Sequence, residues 1–302
     1  MWIIKYRKIW FGISAVLVIA TLVMMFTRGF NLGIDFTGGA LTEVKYSQNV
    51  PTPEIVRTQV EQLNLGGFSV RPAGDNGYII KTKNLSPEEK ESFLNALNVN
   101  NASEYSLERY NAIGPSVGSE LKSKALVAIS VVILAILLFI VFAFRKVSKP
   151  VASWKYGVAT IIALAHDVLI PTGLFIVLGI FVGYEIDLLF VAALLAVMGY
   201  SVHDTIVVFD RIRENLRRNE EQREKEEFEE TVGRGLMDTM GRSINTSITT
   251  LIVLLALFFF GGDATKSFTL VLLAGIIAGT YSSIFLASPV LVWFNNMQNR
   301  KK

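Results

Sequence analysis

The chain has 302 residues, a length that would suit about two soluble domains. Hydrophobic residues make up 51% and charged residues 18%, so the chain is too apolar to be disordered. The absence of cysteine excludes a disulfide framework and a cysteine-based metal site, and the net charge of +3 is too small to indicate nucleic-acid binding. Long apolar runs alternate with charged blocks, which predicts a polytopic α-helical membrane protein with one water-soluble insert.

Six stretches are apolar and long enough to cross a hydrocarbon core about 30 Å thick. They are Ile9–Thr27, Ala125–Phe144, Tyr156–Val182, Leu188–Phe209, Ser243–Phe260 and Phe268–Trp293. The first lacks a small-residue cleavage site and exceeds the apolar region of a signal peptide, so we expect a retained helix. The predicted domains are therefore residues 1–29, an insert at 30–124, and a bundle at 125–302 that contains a charged, exposed connection at 211–241.

Basic residues in the connections predict the orientation of these helices. They precede the first span, separate the second from the third and the fourth from the fifth, and follow the sixth: Lys5, Arg7, Lys8, Arg145, Lys146, Lys149, Lys155, the basic residues from Arg211 to Arg234, and Arg300 to Lys302. The short connections on the other side contain only one basic residue, Lys266. Because basic loops stay in the cytoplasm, we expect both termini there and residues 30–124 outside.

The insert has the pattern of a small α+β domain. Its predicted elements are a strand at Ala40–Ser47, a helix at Thr52–Leu63, strands at Phe68–Arg71 and Tyr78–Thr82, a helix at Ser86–Leu97 and a strand at Ser103–Asn111. This βαββαβ order is typical of the split βαβ, or ferredoxin-like, unit. The insert contains no histidine and no nucleophile motif, so we expect a docking or substrate-contact domain and no enzyme activity.

Two glycine-containing motifs join the insert to the flanking helices. The entry motif contains Asp35, Gly38 and Gly39, and the exit motif contains Gly114, Pro115 and Gly118. We interpret both as tight junctions in which glycine supplies backbone angles that other residues avoid. A direct functional contact is the alternative interpretation.

Ionisable residues within the apolar spans are the strongest functional signal, because such residues are costly in a membrane. His166 and Asp167 lie in the third span, and His203 and Asp204 lie in the fourth. The fifth span opens with a polar stretch that contains Arg242. At about 1.5 Å per residue, His166, Asp204 and Arg242 fall at similar depths in the cytoplasmic half of the membrane.

Helical spacing places further polar residues beside these groups. One stripe on the fifth span combines Arg242 with Asn245, Thr246 and Thr249, and one face of the fourth span combines Asp204 with Ser201 and Thr205. We expect both polar faces to turn inward and Asp204 to attract Arg242. A proton relay and a static structural ion pair are the two interpretations of this pair. On the sixth span, Gly275, Gly279, Ser282 and Ser283 predict a face for close helix packing.

Several of these motifs together resemble the SecF subunits of the SecD/SecF family. They are Ile34-Asp-Phe-Thr-Gly-Gly39, Ile113-Gly-Pro-Ser-Val-Gly118, Ala165-His-Asp167, the segment from Gly199 to Glu214, and Arg242-Ser-Ile-Asn-Thr-Ser247. The resemblance implies a six-helix bundle of the resistance-nodulation-division type in a bacterial cytoplasmic membrane. It also implies that Asp204 and Arg242 belong to a proton pathway, to which His166, Asp167 and His203 are added here as candidates.

The same resemblance implies the function and the partners. The family assists protein translocation with the proton motive force, as a pair with SecD, alongside the SecYEG channel, the SecA ATPase, the exported polypeptide and YajC- or YidC-type accessory proteins. A second essential carboxylate would come from the SecD-type chain. No metal or cofactor is expected. The alternatives are one half of a proton-driven exporter of small molecules or lipids, and a membrane scaffold without transport.

Overall fold

The computed structural model describes residues 2–99, 104–145 and 151–299. The described residues form two compact units, one from 1–31 with 127–302 and one from 32–126. The predicted domain boundaries lie within two residues of these divisions. Ser103, Lys146, Lys149, Arg300, Lys301 and Lys302, which entered the predictions above, lie outside the described residues.

The insert contains a four-stranded antiparallel sheet within its described residues, in the order β2-β3-β1-β4. Its elements are α3 (Ile34–Thr37), β1 (Gly39–Tyr46), α4 (Pro53–Gln62), β2 (Ser69–Ala73), β3 (Gly77–Thr82), α5 (Pro87–Leu97) and β4 (Tyr105–Ile113). The two predicted helices and four predicted strands are confirmed, with bounds that differ by at most two residues. The strand order is consistent with the predicted ferredoxin-like unit.

Apolar side chains from both helices and the sheet form the core of the insert. Val44, Val56, Val60, Ile80 and Phe93 are fully buried in it. Helix α5 begins as its sequence predicts: the Ser86 hydroxyl accepts from the Glu89 backbone N–H, and the Glu89 carboxylate accepts from the Ser86 N–H at 2.9 Å. This reciprocal cap fixes where the second helix begins.

The entry and exit motifs of the insert pack directly against each other. Gly38 and Gly39 have φ of +74° and +125°, which side chains other than glycine rarely adopt. A Cβ on Gly38 would lie 2.9 Å from Pro115 Cα, and one on Gly118 would lie 2.9 Å from Gly38 N. The geometry of these residues supports the interpretation as a tight junction.

The other unit is a helical bundle. Its elements are α1 (Trp2–Lys5), α2 (Arg7–Arg28), α6 (Pro115–Ala143, which begins in the insert), α7 (Ser153–Phe181), α8 (Leu188–Gln222), α9 (Phe228–Phe260), α10 (Asp263–Ser282), a π-helix (Ser283–Ala287) and α11 (Ser288–Asn299). Within the described residues, six helical segments are long and apolar enough to cross a membrane, as predicted. The charged connection is a helical hairpin, because α8 continues to Gln222 and α9 begins at Phe228.

Small residues bring α10 close to α8. A Cβ on Gly275 would overlap the Val197 side chain, and one on Gly279 would lie 3.0 Å from Ser201 Cβ. The predicted close-packing face of the sixth span is therefore confirmed. Directly after this face the chain forms the π-helix, which widens one turn and precedes Pro289. The tight contact places the start of the π-helix among the polar residues of α7 and α8.

Candidate functional site

Seven polar side chains meet inside the bundle and form a layer that we call the polar layer. Its members are His166, Asp167, Ser201, Asp204, Ser243, Ser282 and Ser283. They come from α7, α8, α9, the end of α10 and the start of the π-helix. Polar groups in the apolar interior are stable only when they bond to one another, and this requirement draws the side chains together.

Asp167 is the most buried carboxylate of the layer, with no exposed surface. Its Oδ1 lies 2.9 Å from His166 Nδ1, and its Oδ2 accepts from the Ser201 and Ser282 hydroxyls, the latter at 2.7 Å. Because an ionised carboxylate only accepts, a charged Asp167 places a proton on Nδ1 of His166. The His166 ring also stacks on Tyr281, with centroids 5.5 Å apart. Asp167 thus joins α7, α8 and α10.

Asp204 lies in a more open part of the layer and is only partly buried. Its Oδ1 accepts from the Ser243 hydroxyl of α9 at 2.5 Å, and its Oδ2 accepts from the Ser283 hydroxyl. Each carboxylate oxygen is therefore bonded to a different neighbouring helix. Protonation would turn one oxygen into a donor and remove an acceptor from one of these two serines.

Ser282 and Ser283 connect the two carboxylates. Successive residues of a helix point about 100° apart, so adjacent serines reach different neighbours. Ser282 bonds to Asp167 and Ser283 bonds to Asp204. Ser283 is also the first residue of the π-helix, a form that recurs at functional sites. A change at either carboxylate therefore reaches the junction between α10 and the π-helix.

The predicted attraction between Asp204 and Arg242 is absent from the described residues. Arg242 is exposed and forms no ion pair with the described residues, whereas the adjacent Ser243 is buried and bonds to Asp204. The inward face of α9 is thus one residue away from the predicted one, which rotates the helix by about 100°. Short serines allow α9 to approach α8 more closely than arginine would, and Ser247 continues this face with bonds to Tyr200 and Thr280.

The rest of the predicted α9 stripe faces away from the described bundle. Asn245, Thr246 and Thr249 are exposed, so no other described helix of this chain covers the stripe, and its contact with other helices or water stays a prediction. The Thr249 hydroxyl donates to the Thr246 carbonyl of its own helix at 2.9 Å. Arg242 and Asn245 have no such internal partner among the described residues. This face therefore carries polar groups that the described chain leaves uncovered.

Some of the remaining candidate residues are buried and others are exposed. Ser201 and Thr205 are each 1% exposed, in line with the inward face predicted for α8, although Thr205 Oγ1 has no partner among the described residues. His203 is exposed and does not reach the polar layer. Asp210, a further acidic residue of α8, is exposed and pairs with Arg213 at 2.6 Å. Asp35, Gly38, Gly39, Gly114, Pro115 and Gly118 belong to the insert and not to the polar layer.

Sequence reasoning missed the role of three serines. Ser243 lies beside Arg242, and the sequence pattern predicts only a packing role for Ser282 and Ser283. A signal was present, because adjacent serines in an apolar span can bond to acidic residues on two other helices. Within the described residues, no group of acidic residues and histidines has the arrangement of a metal site.

Comparisons with known proteins show the family of this chain. Residues 94–297 match the family described as "Protein export membrane protein SecD/SecF, C-terminal", and residues 23–50 match the "SecD/SecF GG Motif". The chain belongs to the SecD/SecF family. The first match contains the whole polar layer, and the second contains Gly38 and Gly39. With six membrane-crossing helices among its described residues, this family member is a multi-pass membrane protein.

Curated relatives are similar over almost the whole chain. A protein translocase subunit SecF of Thermobaculum terrenum is 42% identical over 305 residues, which cover 97% of this chain and 94% of the relative. The SecF of Anaerolinea thermophila is 36% identical, covering 96% and 92% respectively. The SecF of Helicobacter pylori strain J99 is 34% identical, covering 95% and 84%.

Solved SecDF structures share the fold. The crystal structure of SecDF from Thermus thermophilus matches with a TM-score of 0.83 and 32% identity, over 97% of this chain and 38% of the SecDF chain. A second, called the super-membrane-facing form, matches with a TM-score of 0.65 and 31% identity, over 98% and 38%. The chain thus spans well under half of the SecDF chains that it resembles.

Proposed function

We propose that the chain is the SecF-type subunit of a SecD/SecF protein-export complex and that protonation of Asp204 drives its conformational cycle. The observation that carries this proposal is the pair of bonds at Asp204. One carboxylate oxygen bonds to α9 and the other to the first residue of the π-helix. A single proton on this group weakens the bond to one of these two helices.

The energy that a proton gains on crossing the membrane is comparable to that of one or two hydrogen bonds between helices. One elementary charge that moves through 100 mV gains about 2.3 kcal/mol. A hydrogen bond between helices in a membrane contributes roughly 1–2 kcal/mol. The proton motive force can therefore offset the loss of one or two serine bonds at Asp204, and this balance supports a switch in place of a static ion pair.

The exposed face of α9 supports a SecD-type partner. Arg242 and Asn245 lie on a helix that is otherwise apolar enough to cross a membrane, and unbonded polar groups are unstable against lipid. A second helical half would cover them. We propose that this half supplies the carboxylate that pairs with Arg242. His203 is also exposed, so we propose that it joins the proton pathway only when such a partner covers it.

The remaining assignments follow the family. We place both termini in the cytoplasm, residues 30–124 outside, and the chain in the bacterial cytoplasmic membrane, because the basic connections favour this orientation. SecYEG, SecA, the exported polypeptide and YajC- or YidC-type accessory proteins are the proposed partners in translocation. The subunit itself is proposed to be non-catalytic.

Proton-coupled export in vesicles tests this function. The chain is reconstituted with its SecD-type partner and the translocation channel, and export and proton flux are measured under an imposed proton gradient. We expect Asp204→Asn to abolish the stimulation of export by the gradient while the complex still assembles. Asp210→Asn, on the exposed side of the same helix, is the matched control and should keep both activities.

Two results would contradict the proposal. Unchanged export and proton flux in an assembled Asp204→Asn complex would identify the polar layer as a structural scaffold. Proton-driven efflux of small molecules or lipids without any effect on export would favour the exporter alternative.

A further inference from the structure

An apolar groove runs along the bundle between α2, α7 and the segment that continues through the π-helix into α11. Its volume is about 430 Å³, and its walls include Ala15, Val18, Leu169 and Val290. The α2 residues that line it extend from Phe11 to Val18. The seven helical steps from Phe11 to Val18 correspond to about 10 Å, most of the roughly 15 Å depth of one leaflet's hydrocarbon.

A second cavity, with a different chemistry, opens at one end of this groove. It has a volume of about 320 Å³ and is lined by Arg7, Lys8 and Asn296. Phe11 and Trp293 line both cavities, so the two cavities adjoin at these rings. A basic pocket thus leads into an apolar groove past two aromatic rings, which commonly lie at the boundary between headgroups and hydrocarbon.

The described residues neutralise only part of the charge of the pocket. Arg7 bonds to Glu229 at 2.6 Å and to the Ile4 carbonyl at 3.0 Å. Lys8 is exposed, and among the described residues it has no acidic partner. Lys8 therefore leaves one positive charge at the mouth of the groove, where Asn296 adds an amide that can donate hydrogen bonds.

We propose that this composite site binds one anionic phospholipid, with the phosphate at Lys8 and Asn296 and one acyl chain in the groove. The basic pocket complements a negative headgroup, and the apolar groove has the polarity and depth of an acyl chain. In the orientation proposed above, the lipid would belong to the cytoplasmic leaflet, where anionic lipids attract basic residues next to membrane helices. The inference is independent of the proposed export function.

The acyl chain would also affect the polar layer. His166 lines the groove, and its Nε2 has no partner among the described residues. Hydrocarbon in the groove would separate this ring from water on that side. Bound lipid would therefore help to exclude water from the surroundings of Asp167.

Lipid retention tests the site. The full-length chain is reconstituted in nanodiscs that contain equal amounts of phosphatidylglycerol and phosphatidylcholine, and the retained lipid is measured by native mass spectrometry after transfer to detergent. We expect one retained phosphatidylglycerol. Lys8→Gln should weaken its retention about fivefold, the factor expected for one basic residue near a membrane surface, and Lys8→Arg should restore it.

Control variants separate headgroup, tail and folding effects. Lys5→Gln removes a charge from a neighbouring residue that lines neither cavity and should have no effect. Ala15→Phe should fill the groove and expel the lipid, whereas Val16→Phe, on the exposed side of α2, should not. Equal retention of both lipids, or unchanged retention in Lys8→Gln, would overturn the proposal. Displacement by inorganic phosphate alone would also overturn it, because the site would then recognise free phosphate.

Discussion

The insert and the bundle place their polar residues in opposite ways. In the insert, the buried core is apolar and contains Val44, Ile80 and Phe93. In the bundle, Phe26, Phe181 and Phe260 are each more than 80% exposed, while Asp167 has no exposed surface. The insert follows the rule for proteins in water, in which burial of apolar surface stabilises the fold. The bundle faces lipid, so its buried polar layer must be explained by function as well as by stability.

The largest effect is expected in the apolar core of the insert. Phe93 is fully buried between α5 and the sheet, so Phe93→Ala should lower the free energy of unfolding of the insert by about 3–5 kcal/mol. Hydrogen exchange of residues 32–99 in the intact chain would measure this change, and exchange in α8 should be unaffected. Equal acceleration in both units would show that they do not unfold separately and would break the comparison.

Two adjacent serines sharpen the comparison within the bundle. Ser282→Ala removes a bond to the fully buried Asp167, and Ser283→Ala removes a bond to the partly buried Asp204. Loss of either hydrogen bond should destabilise the bundle by at most roughly 1–2 kcal/mol. The thermal destabilisation should be larger for Ser282→Ala. Ser283→Ala should have the larger effect on the pH dependence of export. The same pH profile in both variants would show that the two carboxylates are not distinct.

The smallest effect concerns the exposed cap of α5. The Lys83 ammonium, which bonds to the Glu89 carboxylate, and the Ser86 backbone N–H lower the Glu89 pKa below its ordinary value of 4.5. The folded state therefore gains stability above that value and loses it as the pH falls through the lowered pKa. Glu89→Gln should slightly accelerate hydrogen exchange of α5 at neutral pH, and acid should then have less further effect. An unchanged acid response would contradict this assignment.

The sequence predicts the insert well because its signals are local. Ser86, Pro87 and Glu89 specify a helix start, and the turn before Gly77 specifies a hairpin. The spans and their ionisable residues were also predictable, since hydropathy requires no knowledge of neighbours. The rotation of α9 was not predictable, because both Arg242 and Ser243 lie in its polar segment. Which of them faces Asp204 depends on how α9 packs against α8 and α10, and the sequence of α9 alone does not specify that packing.

The central claim is that Asp204 takes up and releases a proton within the polar layer. Difference infrared spectroscopy during a pH titration of the reconstituted complex measures this directly, because a protonated carboxyl has its own C=O band. We expect a titrating carboxyl band that disappears in Asp204→Asn and remains in Asp210→Asn, together with a pH-dependent shift in the hydrogen exchange of the π-helix. A spectrum identical in the wild-type and Asp204→Asn complexes would contradict the claim.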